Sequence, residues 1–128
     1  MRVFITGAAG FIGTATTKEL IANGHRVLGL ARSDANAEAI GKLGADVHRG
    51  SLEDLDSLKS GAANADGVIH CAFIHDFSKF AENGQIDKRA IEAMGDVLEG
   101  TNKPFIVTSG TGLVTPGVVI TFSHINIL

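Results

Sequence analysis

At 128 residues the chain has the length of one domain, enough to bury a core and too short for two. Its 45% hydrophobic content places it among globular chains, and a net charge of −3 leaves no basic footprint for nucleic acid or an acidic membrane surface. A single cysteine, Cys71, excludes an internal disulfide, which fits a reducing compartment. With no apolar run of about 18 residues and no room for a cleavable leader before the first strand, the cytosol is the expected location.

The chain opens on RVFIT, residues 2–6, an apolar and β-branched run that predicts a buried strand. Gly7 to Gly10 predicts a tight turn, and helical spacing begins at Phe11. Glycines at 7, 10 and 13 allow positive φ, close approach of backbone N–H groups to a ligand, and close packing of helix on strand. A strand that ends in such a turn at a helix N-terminus suits a pyrophosphate, held by unpaired N–H groups and the positive end of the helix dipole. A glycine-rich turn without a ligand is the alternative. A Walker-type loop fits less well, because Gly13 is followed by Thr14 rather than Lys.

The segment TGAAGFIG, residues 6–13, departs from G-x-G-x-x-G by placing Ala9 in the second glycine position. It resembles the opening of the short-chain dehydrogenase/reductase superfamily, in the extended and atypical branches that include the NAD-dependent epimerase/dehydratase-like proteins. The resemblance implies a Rossmann fold and a bound NAD or NADP, with Gly7, Ala9, Gly10, Phe11, Ile12 and Gly13 beside it.

Along the first helix Ile12, Ala15, Thr16, Leu20 and Ile21 are expected to face inward, and the helix to end at Asn23-Gly24. A second strand is expected over His25–Leu30. An NAD site places an acidic residue near the end of this strand for the ribose 2′-hydroxyl. That slot holds Ala31, followed by Arg32 and Ser33. A guanidinium bonds a 2′-phosphate bidentately and a serine adds a hydroxyl, so the sequence favours NADP over NAD. The alternative makes Arg32 a solvated strand-end residue and Ser33 a helix N-cap, while Asp34 offers a carboxylate if the strand ends later.

A second helix is expected over Ser33–Gly44 with Ala37, Ile40 and Leu43 inward, then a short third strand, Ala45–Arg49. Ser51-x-x-Asp54 predicts a capping-box-like start to a helix carrying Leu55 and Leu58. In the resembled family the equivalent Gly-Asp-Leu contacts adenine. Ser51 here replaces the Asp, so Ser51 and Leu52 either border adenine or serve as a helix start.

The fourth strand, Gly67–Ala72, is nearly all apolar, as a central parallel strand should be. VIHCAF resembles the family segment over which the cofactor passes, which implies Cys71, Ala72 and Phe73 beside the dinucleotide. Cys71 is either a packing residue or a nucleophile. His70 and His75 lack metal-ligand company. Residues 85–100 predict a crossover helix with Ile86, Ala90, Ala93, Met94, Val97 and Leu98 inward, and Phe105–Ser109 a fifth strand. The alternation predicts a Rossmann-like, doubly wound parallel α/β sheet in the order 3-2-1-4-5, with ligand at the carboxyl ends of strands 1 and 4.

The resembled family transfers hydride with a Ser or Thr past the fifth strand and a Tyr-x-x-x-Lys helix. Here Gly110 falls in the hydroxyl slot, leaving Ser109 and Thr111 as approximations, and the chain contains no tyrosine. The resemblance covers residues 1–114, and 115–128 form a divergent apolar tail. That tail is expected to add an edge strand, to swap onto a partner, or to stay loosely placed. Three readings follow. One is an NADP(H)-binding Rossmann domain without catalysis of its own. Another is an NADP-dependent carbonyl reductase or epimerase-like enzyme using Ser109, Thr111 or a partner subunit on a small carbonyl or sugar-like substrate. The last is a protein that homodimerises through its exposed sheet edge without nucleotide.

Overall fold

The structure, a computed structural model, describes residues 1–72 and 80–107. In chain order these form β1 (Arg2–Thr6), α1 (Phe11–Ala22), β2 (Arg26–Ala31), α2 (Asp34–Lys42), β3 (Asp46–Arg49), α3 (Leu55–Ala63), β4 (Gly67–His70), α4 (Phe80–Leu98) and β5 (Phe105–Val107). The strands make one parallel sheet in the order β3-β2-β1-β4-β5, as the alternation of strands and helices predicts. The order reverses between β1 and β4. These two strands pair in parallel from Val3–Gly67 to Thr6–His70, and in open α/β sheets the point where the order reverses is where a crevice forms at the carboxyl ends.

Successive side chains of a strand point to opposite faces, and here each face is buried. Val3 and Ile5 of β1 join Val27, Ala31 and Ile40 on one side. Phe4 joins Leu28, Leu30, Leu58, Met94 and Phe105 on the other. That is why the central strands are continuously apolar while β3, at the sheet edge, carries Asp46, His48 and Arg49.

Three sequence expectations need correction. Of the residues expected inward on α1, Leu20 and Ile21 pack against the core, but Ile12 is 55% exposed and Ala15 is exposed, while Gly13 and Thr17 are buried and Phe11 is 95% exposed. Gly13 lets the helix backbone lie against the Gly7 carbonyl, and the Thr17 hydroxyl donates to the Gly13 carbonyl at 2.7 Å. Close approach thus outranks hydrophobicity at the start of this helix. The third helix starts at Leu55 with Asp54 as its N-cap, accepting from the Ser57 N–H, while Ser51 accepts from the Asp54 N–H one turn earlier. The fourth helix begins at Phe80, ahead of the expected residue 85.

Candidate functional site

The carboxyl ends of β1, β2 and β4 surround a cavity of about 710 Å³. Its floor is the turn after β1, where Gly7 takes φ +71 and Gly10 donates its N–H to the Gly7 carbonyl at 3.0 Å. A side chain at Gly7 would be strained by that φ, and its Cβ would stand 2.7 Å from the Ala72 nitrogen. A Cβ at Gly13 would overlap the Gly7 carbonyl. The glycines therefore serve backbone-to-backbone contact, and bare main chain faces the cavity.

α1 points its N-terminus into this space. Its N-cap, Gly10, makes no side-chain bond to the first turn, and that turn holds no acidic residue. The leading N–H groups and the positive end of the helix dipole are thus available to an anion. Ala9, Phe11 and Ile12 border the same opening.

The walls come from three other connections. After β2, Leu30, Arg32 and Asn36 line the cavity. Ser51, Leu52 and Glu53 line it between β3 and α3, and Cys71 and Ala72 after β4. Among the described lining residues Arg32 is the cation and Glu53 the carboxylate. Ser33 is not in the wall: its Oγ caps α2 by accepting from the Asn36 N–H at 3.2 Å. Asp34 also stays out of the wall, its carboxylate accepting from an Arg49 guanidinium nitrogen at 2.8 Å. A second Arg49 nitrogen donates to the Ser33 carbonyl at 3.0 Å, so the last residue of β3 braces the β2–α2 turn.

Sequence reasoning did not single out Leu30, Asn36 or Glu53. The Ser33-x-x-Asn36 capping spacing was the available signal for Asn36, since it fixes that residue in the first turn of α2 beside Arg32. Glu53 had none, because its place depends on β3 bringing the following turn back over the sheet. Phe73, Ser109, Thr111, His75 and the tail from residue 115 lie outside the described residues. Among the described residues no cluster of His, Cys, Asp or Glu is arranged to hold a metal, and no helix is long and apolar enough to cross a membrane.

A parallel 3-2-1-4-5 sheet whose first strand leads through a glycine turn into an uncapped helix defines a Rossmann-type domain. More narrowly, the model of the NAD dependent epimerase/dehydratase family matches residues 3–110, and the chain belongs to that family.

The chain is 51% identical over 115 residues to an uncharacterised protein of Schizosaccharomyces pombe, covering 90% of this chain and 39% of that protein. An uncharacterised protein of Saccharomyces cerevisiae is 51% identical over 121 residues, covering 93% and 41%. The chain thus spans about two-fifths of the length of these curated relatives. Among solved structures, a putative NAD-dependent epimerase/dehydratase from Bacillus halodurans superposes with a TM-score of 0.73 at 25% identity, covering 88% of this chain and 52% of that one. UDP-glucose 4-epimerase from Bifidobacterium longum, solved with NAD+ and UDP, superposes with a TM-score of 0.68 at 26% identity, covering 87% and 37%.

Proposed function

We propose that residues 1–114 form an NADP(H)-binding domain of an oxidoreductase or epimerase, and that 115–128 are a divergent apolar tail. The observation that carries this reading is the uncapped N-terminus of α1 opening, through glycines that leave no side chain in the way, onto a cavity of about 710 Å³. The pyrophosphate belongs at the Gly7–Gly13 turn, where neutral backbone donors and the helix dipole meet it. The adenosine end belongs between Arg32 and the Ser51-Leu52 wall, and Cys71 and Ala72 border the rest of the dinucleotide.

Preference for the 2′-phosphate follows from charge. Ala31 occupies the end of β2 where an acidic residue would accept from a ribose hydroxyl, Arg32 lines the wall, and the Asp34 carboxylate is engaged by Arg49. The Ser33 hydroxyl accepts from the α2 backbone and keeps its own proton to donate.

When bound, the nicotinamide supplies hydride transfer. Residues 1–128 contain no tyrosine, so the acid/base that the family resemblance implies is not among them. Binding without turnover is expected of residues 1–128 taken by themselves. Ser109, Thr111 or a partner subunit would have to orient a small carbonyl or sugar-like substrate in any active assembly. A cytoplasmic location and pairing through the sheet edge accord with the same reading.

Calorimetric titration with NADPH and with NADH tests it. NADPH-selective binding is expected; equal binding of both would overturn the role of Arg32, and binding of neither would overturn the cofactor assignment.

A further inference from the structure

Beneath the cavity a buried hydrogen-bond chain ties the β1 and β4 ends to α4. The parallel register places Thr6 beside His70, and strand alternation turns both side chains to the face of Phe4 and Val68, under α4. Thr6 Oγ1 lies 2.6 Å from His70 Nδ1, and His70 Nε2 lies 2.6 Å from Asp87 Oδ1. Thr6 and His70 are fully buried, and the Asp87 side chain is 22% exposed.

The Ala72 N–H donates to Thr6 Oγ1 at 3.2 Å, and the same hydroxyl bonds His70 Nδ1. Across the ring, His70 Nε2 faces the Asp87 carboxylate, an acceptor for its N–H. The Cys71 N–H donates to the Thr6 carbonyl at 3.1 Å. Thr6 therefore holds both residues of the β4 end, and Gly7 follows it directly. Ala72 N is also the atom that stands 2.7 Å from a Cβ built on Gly7, with Ala72 Cα and Cys71 C at 2.9 Å.

We propose that Thr6, His70 and Asp87, none of which lines the cavity, are positioning residues for it. The chain from Ala72 through Thr6 and His70 to Asp87 fixes the gap between the glycine turn and the Cys71-Ala72 wall, and makes that gap depend on the seat of α4. An Asp–His–hydroxyl order also activates nucleophiles. Thr6 has no exposed surface, so no reacting group reaches its hydroxyl and the role is geometric. A hydroxyl on β1 and a carboxylate on α4 thereby set the width of a site that neither touches.

This inference rests on the dinucleotide reading for its ligand readout, and a second, ligand-free readout keeps the two separable. In the full chain, Thr6→Val removes the hydroxyl at nearly constant shape and Asp87→Ala removes the terminal acceptor. Thr6→Ser and Asp87→Asn restore an oxygen at each position. NADPH affinity is followed by nucleotide fluorescence, exchange of the Cys71 and Ala72 amides by NMR, and folding by thermal melts.

Thr6→Val and Asp87→Ala are expected to weaken NADPH about tenfold or more and to speed exchange of the Ala72 amide. Thr6→Ser and Asp87→Asn should stay within about threefold of the parent. Variants that melt lower yet keep parental affinity and parental Ala72 exchange would reduce the three residues to core packing and overturn the proposal. If the parent takes up no NADPH, the cofactor reading fails while amide exchange still decides the positioning role. If Thr6→Val does not fold, Asp87→Ala, at a partly exposed position, decides it.

Discussion

α1 and α3 both follow a strand of the same sheet, and they begin in opposite ways. α3 starts at Asp54, whose carboxylate accepts from the Ser57 N–H, and Asp56 adds negative charge to its first turn. α1 starts at Gly10, which offers its first turn no side-chain acceptor, and that turn holds no acid. A cap contributes about 1 kcal/mol to a helix, so α3 is closed by its own side chains and repels anions. α1 forgoes that contribution and keeps its donors toward a cavity of about 710 Å³. One fold thus contains a helix start closed by its own side chains and one whose leading N–H groups have no side-chain acceptor.

The comparison breaks most severely at the glycines. Gly13→Ala would drive a methyl group into the Gly7 carbonyl. It should destabilise the fold by about 3 kcal/mol and weaken NADPH about a hundredfold, read by thermal melts and titration. Gly10→Asp gives α1 the cap that α3 has, at a backbone of φ −79 and ψ 177 that any residue adopts. NADPH affinity should fall by more than about tenfold while the melting temperature holds or rises. That opposite movement separates a ligand site from a structural turn.

Arg32→Ala should weaken NADPH about tenfold and leave NADH nearly unchanged, because only the former carries the 2′-phosphate. Equal loss of both would assign Arg32 to general electrostatics. The smallest ligand effect belongs to Asp54→Ala, which removes the cap of α3. Denaturant titration should show a loss of about 1 kcal/mol, with NADPH affinity as in the parent.

Much of this was legible in residue order. The RVFIT run, the glycines at 7, 10 and 13 and the cation after Ala31 each encode a short-range property: a strand, a bare turn, a charge at a strand end. The caps were less legible. Ser33 stood between a phosphate contact and an N-cap, and its side chain makes the α2 cap. Ser51 looked like a cap and is a turn residue one step ahead of Asp54. On α1 hydrophobicity rightly marks Leu20 and Ile21 but also Ile12, which is exposed because the contact at the start of that helix is between two backbones.

The sequence by itself determined the class of sheet, its strand order and the glycine turn that lines the cavity, since periodicity and glycine spacing act over a few residues. Only the tertiary structure decided which distant groups meet. Arg49 reaches Asp34 because β3 pairs with β2. Thr6 meets His70, 64 positions away, because β1 pairs with β4 in one particular register. A one-residue slip would send every side chain of a strand to the other face. Sheet register therefore assembles the walls of the cavity and the hydrogen-bond chain beneath it.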